Sequence, residues 1–116
     1  MTEIEEITEF IDAYKDYQGD AIPDMECMLR VAIAYGQRIG ELLNVAQRAY
    51  SIKYAESLNK LRDSEDETET TRKAKLESWC ADERFTVGTL KNLYATLKQV
   101  RMSLFQSIRN RREEPR

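Results

Sequence analysis

Basic side chains interleaved with tyrosines are the part of this sequence best suited to chemistry. Arg48, Lys53, Lys60 and Arg62 recur along one stretch with Tyr50 and Tyr54 among them, and Tyr35 lies just upstream. A second set, Lys98, Arg101, Arg109, Arg111, Arg112 and Arg116, crowds the C-terminus. A single nucleic-acid strand asks its binding surface for cations that neutralise phosphates and for aromatic faces on which bases stack. Arginine forks meet phosphate oxygens with two parallel hydrogen bonds, which suits Arg109, Arg111 and Arg112 to a strand backbone. The competing reading makes the bases a solvated face and the tyrosines core. Bases at a helix C-terminus also complement the helix dipole, and Glu113 and Glu114 stand beside these arginines as local counter-charges.

Other chemistries fail on residue types. The chain has no histidine, which removes Ser-His-Asp and Cys-His catalytic groups within one chain and histidine metal ligation. Glu65, Asp66, Glu67 and Glu69 crowd one turn without the alternating aspartates and glycine of a calcium loop, so they read as a solvated turn. Glu77 and Asp82 are not spaced to share a helix face, and no glycine-rich segment precedes a Lys-Ser or Lys-Thr pair. Cys27 and Cys80 are isolated. Cys80, beside Trp79, reads as a small apolar residue with no base to activate its thiol. The expectation is a protein without enzymatic chemistry, metal or cofactor. Unpaired cysteines, an acidic N-terminus unlike a leader, and the lack of an apolar run near the about 20 residues of a membrane span lead us to expect a cytoplasmic protein without membrane contact.

The formal net charge of −3 conceals a segregated pattern. Residues 1–29 carry −8, residues 30–62 carry +4, residues 63–97 carry −3 and residues 98–116 carry +4. Binding responds to such local fields rather than to the total.

The elements that must position these charges are helices. Apolar residues make up 41% and charged residues 34%, with four glycines and two prolines in 116 residues, which points to one all-α domain. The 3–4 spacing of Ile4, Ile7, Ile11 and Tyr14 predicts an acidic helix over 3–18, capped by Thr2 and ended near Gly19. A second, long helix is predicted over 24–61 with Asp24 as its cap. Its stripe is Ile39, Leu43, Ala46, Tyr50, Tyr54, Ser57 and Leu61. Gly36 and Gly40 fall inside it at a spacing of four, read as a close backbone approach or as coincidence. An acidic turn over 62–70 leads to a third helix over 71–112. Its seam is Leu76, Trp79, Glu83, Val87, Leu90, Tyr94, Leu97, Arg101, Leu104 and Ile108. Glu83 and Arg101 are register devices in that seam, or edge residues of a seam that drifts. Two long helices joined by a short turn form an antiparallel, coiled-coil-like hairpin. Such a hairpin brings the basic tail back towards Arg30 and Arg38. A lone hairpin leaves apolar stripes wet, so self-association into a homo-oligomer is expected.

Residues 41–55 (ELLNVAQRAYSIKYA), residues 82–87 (DERFTV), the Leu93-Tyr94 pair and the basic helix end through Arg109 together resemble small phage accessory proteins of DNA recombination, of the UvsY-type recombination mediator family. The resemblance covers about two-thirds of the chain and leaves out the acidic first helix. It implies a protein that binds single-stranded DNA, assembles into rings and loads a RecA-type recombinase onto strands covered by single-strand binding protein. It also implies a Lys-x-Arg contribution to DNA binding, in which Lys53 matches the lysine and Ala55 stands where the arginine would be. The function expected is therefore a non-enzymatic, phage-type recombination accessory factor, with Arg48, Lys53, Lys60, Arg62, Arg109, Arg111 and Arg112 on the strand. The alternative is a protein-interaction module or inhibitor whose acidic first helix docks on a basic, nucleic-acid-handling partner.

Overall fold

Thr2 holds the start of the first helix. Its hydroxyl accepts from the Glu5 N–H at 3.2 Å, and the Glu5 carboxylate accepts from the Thr2 N–H at 3.4 Å, closing a capping box. The structure, a computed structural model, describes residues 2–62 and 68–113. Among them the chain forms α1 (Glu3–Asp16), α2 (Ile22–Arg62), α3 (Glu69–Trp79) and α4 (Ala81–Glu113), with no strands. None of these helices is long and apolar enough to cross a membrane. Most of the acidic turn expected over 62–70, including Glu65, Asp66 and Glu67, lies outside the described residues, as do Glu114, Pro115 and Arg116.

Three boundaries differ from the sequence expectation. α1 ends at Asp16, short of the expected end at 18. α2 begins at Ile22, ahead of Asp24, and the Met25 N–H donates to the Ala21 carbonyl at 3.1 Å. Pro23 sits in the first turn, where its missing N–H would have had no helical partner, and Asp24 faces the positive end of the dipole from within that turn. Ahead of it, the Tyr17 ring lies over Gly19, where an added Cβ would fall 2.5 Å from the phenol oxygen, so a larger residue here would have to displace that ring. The third difference is larger: the expected helix over 71–112 is two helices. Thr68 caps α3 by accepting from the Thr71 N–H at 3.2 Å, and α3 stops at Cys80, whose φ of −100° and ψ of 6° leave the helical basin. The Cys80 N–H still reaches the Leu76 carbonyl at 3.2 Å, and the Cys80 carbonyl accepts from the Arg84 N–H at 2.9 Å, so the chain bends without a gap in its hydrogen bonding.

The chain divides into two compact units, residues 1–40 with 92–116, and residues 41–91. In the first unit the N-terminal part of α2 runs antiparallel to the C-terminal part of α4. Met25, Ala32, Val100, Leu104 and Ile108 form its core, with Phe10, Tyr14 and Tyr17 of the α1 region packed on it. Ile7 and Ile11 are buried on α1, Phe10 meets Tyr35 edge-on at 5.5 Å, and Ile4, expected on the same face, is exposed. The buried positions of α4 here are Leu97, Val100, Leu104 and Ile108, so the seam passes through Val100. Arg101 and Tyr94 are exposed, the arrangement of a drifting seam rather than of a buried register device.

In the second unit the last turns of α2 face α3 and the start of α4. Ser57 and Leu61 are buried, and the Cys80 Sγ donates towards the Ser57 Oγ at 3.8 Å. Two small side chains facing each other leave no room for an indole. Cys80 takes the inward position expected of Trp79, and Trp79 stands 38% exposed. Glu83 is half-buried, with its Oε2 enclosed and without a hydrogen-bond donor among the described residues.

Burial ranks the substitutions. Leu97→Ala should cost about 2–5 kcal/mol, because Leu97 is almost fully enclosed. Trp79→Ala should cost well under that, since its ring keeps much of its water. Urea titration of both variants measures this, and an equal or larger loss for Trp79 would place the indole in the core.

Candidate nucleic-acid interface

The sequence-predicted bases fall into both units. Arg48, Lys60 and Arg62 are exposed on α2 in the second unit, and Lys53 there is half-buried. The Lys60 ammonium lies over the Trp79 ring, 5.8 Å from its centroid, which explains how the displaced indole is held at the surface.

The C-terminal arginines, in the first unit, are engaged by carboxylates of their own chain. The Arg109 Nε donates to the Glu113 Oε1 at 3.2 Å, one turn on along α4. The Arg111 guanidinium lies 3.6 Å from the Asp20 carboxylate, and Arg112 donates to Glu26. At the other end of the unit the Arg38 Nε donates to the Glu3 Oε2 at 2.9 Å. The acidic head and the basic tail thus meet within one chain, and Glu3, Asp20 and Glu26 face the chain's own arginines. These pairs are water-exposed, so each is weak and exchangeable.

The second unit brings together what the sequence kept apart. Tyr50 and Tyr54, one turn apart on α2, lie with ring centres 6.2 Å apart and planes inclined by 34°. They line a cavity of about 200 Å³ together with Lys73, Leu76 and Glu77 of α3, Cys80, and Arg84 of α4. Tyr54 is 40% exposed. Neither Lys73 nor Arg84 forms an ion pair among the described residues. Tyr54, exposed, and Tyr50, half-buried, thus share one opening with two cations and the single carboxylate of Glu77, a set that can stack a base and draw phosphates towards Lys73 and Arg84. Sequence reasoning picked out the two tyrosines and missed Lys73 and Arg84. The available signal was spacing: each stands three residues before a seam position, Leu76 and Val87, and so beside the seam that faces α2.

Among the described residues no group of three or more acidic or cysteine side chains is placed to hold a metal ion. The chain matches no family model, no curated protein and no solved structure.

The exposure of the arginine pairs sets their worth. A double-mutant cycle on Arg112 and Glu26, read by chemical denaturation, should give a coupling of about 0.2–1 kcal/mol. A coupling of about 3 kcal/mol would mean a desolvated pair locked into the fold.

Proposed function

We propose that this protein is a non-enzymatic binding module for single-stranded DNA, of the recombination-accessory kind its sequence resembles, and that the strand is held at the tyrosine-lined cavity of residues 41–91. The observation that carries this reading is the meeting of Tyr50 and Tyr54 with Lys73 and Arg84 around one opening. Affinity comes from counterion release at the phosphates and from stacking, both indifferent to base sequence. Lys53, Lys60, Arg62 and Arg48 of the same unit extend the positive field beyond the cavity. The terminal arginines contribute less, because a phosphate must displace a carboxylate already there.

Several protomers acting on one strand belong to the same reading. Val45 and Ile52, two turns apart on α2, are 68% and 53% exposed, and Phe85 on α4 is 76% exposed. Apolar side chains left this wet favour association between copies, which would line up cavities along a strand. A RecA-type recombinase or a single-strand binding protein is then the partner that such a filament meets.

Titration of a labelled oligothymidylate across a salt series tests the site. Replacing Lys73 and Arg84 with Ala should flatten the slope of log affinity against log salt by about 0.7 units per cation. Tyr54→Ala should weaken binding by about 1–3 kcal/mol, and Tyr54→Phe should largely retain it. Replacing Arg109, Arg111 and Arg112 together should leave the slope close to that of the parent. A flattened slope in that triple variant alone would move the interface to the tail, and absence of binding at low salt would remove the reading. Sedimentation tests the assembly: the parent should exceed a monomer's mass at micromolar concentration, and the double substitution Val45→Asp with Ile52→Asp should return it to a monomer.

A further inference from the structure

One side of the α2–α4 pair in the first unit is left open. α1 packs on the other side, through Phe10 on Tyr35 and Glu3 on Arg38. The open side holds two successive cavities lined by α2 and α4 alone, of about 170 Å³ and 510 Å³. Along α2 it is walled by Leu29, Ile33, Gly36 and Gly40, at steps of 4, 3 and 4. Along α4 it carries Tyr94, 45% exposed, and Phe105, 61% exposed, with Lys98 and Arg101 between them. A Cβ placed on Gly36 would meet nothing within 4 Å, and one on Gly40 would only touch the Tyr94 ring at 3.5 Å. The two glycines therefore allow no close approach of backbones inside this chain. Their missing side chains hollow out the groove.

We propose that this groove is the docking site for an acidic amphipathic helix of a partner protein. Three observations point to that occupant. The groove follows residues 26–40 of α2, about 21 Å or four turns at 1.5 Å per residue, a length suited to helix-in-groove recognition; Leu29, Ile33, Gly36 and Gly40 are its apolar positions, and at its far end Glu26 and Glu113 are already paired with Arg112 and Arg109. Neither Lys98 nor Arg101 has a carboxylate partner among the described residues, so the rim offers unneutralised positive charge. The chain already solves the same packing problem on the opposite side with a helix of this chemistry: α1 buries Ile7 and Ile11 and sets Glu3 on Arg38. A second copy joined groove to groove would bring Lys98 and Arg101 against like charges, which disfavours that occupant. The groove is separate from the tyrosine-lined cavity, so the two sites stand or fall independently.

The probe is a fluorescent synthetic peptide with the sequence of residues 2–17, titrated by anisotropy against the full chain. It should bind, and more weakly as salt rises. Gly36→Leu starts a side chain into the groove from a Cβ that meets nothing within 4 Å, and should weaken the peptide at least tenfold while leaving the melting temperature equal or higher. Lys98→Glu with Arg101→Glu should weaken it about tenfold or more. Binding of oligothymidylate should be unchanged by Gly36→Leu. Absence of peptide binding would overturn the proposal. So would binding indifferent to Gly36→Leu, which would mean that the peptide exchanges with α1. Conversion of an oligomeric parent to a monomer by Gly36→Leu would give the groove to a second copy and overturn it equally.

Discussion

Each unit has three helical segments, and those segments carry more apolar faces than three can cover. This shortage of partners governs the rest of the structure. In the first unit α1 covers one side of the α2–α4 pair, and Ile7, Ile11, Met25, Leu104 and Ile108 disappear from water there. The other side, with Ile33, Tyr94 and Phe105, stays wet. In the second unit Ser57 and Cys80 meet in the buried interior, and Trp79, Tyr54 and Phe85 stand at the surface. Burial drives folding in proportion to apolar area removed from water. The faces left over are where further binding gains most.

Charge works on the same plan. The acidic first 29 residues meet arginines of the same unit, Glu3 with Arg38 of α2, and Asp20 and Glu26 with Arg111 and Arg112 of the basic tail. Their exposure makes these contacts guides to register rather than large sources of stability. What the pairing leaves over is informative: Lys73 and Arg84, which share the tyrosine cavity with Glu77, and Lys98 and Arg101 beside the groove, form no ion pair among the described residues. Positive charge is therefore unspent at two places, each next to exposed aromatic surface.

Much of the helical organisation was legible in the residues. The Thr2 cap, the paired burial of Ile7 and Ile11, and the seam through Leu90, Leu97, Leu104 and Ile108 all follow from spacing that favours one face of a helix. The break at Cys80 was not legible, because neither glycine nor proline marks it. Its buried partner there is Ser57, a residue 23 positions away, which no local pattern connects to it. Trp79 was misplaced for the same reason, since periodicity gives the face and not the room available on it. Arg101 lay one position from the true seam, at Val100, which no pattern of alternating threes and fours separates. For the site, Tyr50 and Tyr54 were visible as aromatics among bases, whereas Lys73 and Arg84 reach them only through the fold of α3 and α4 onto α2. The arginine tail was visible as well, but its carboxylate partners Asp20 and Glu26 lie far away in sequence.

In the proposed mode of binding, a strand stacks at the tyrosine-lined cavity. Photocrosslinking to an oligonucleotide carrying 5-iododeoxyuridine, followed by peptide mapping, measures that directly, because the reactive base must lie against an aromatic side chain to form an adduct. The expected result is an adduct on Tyr54 or Tyr50, suppressed by excess unlabelled single strand and by high salt. Adducts found only outside residues 41–91, or none under conditions where the strand is bound, would contradict it.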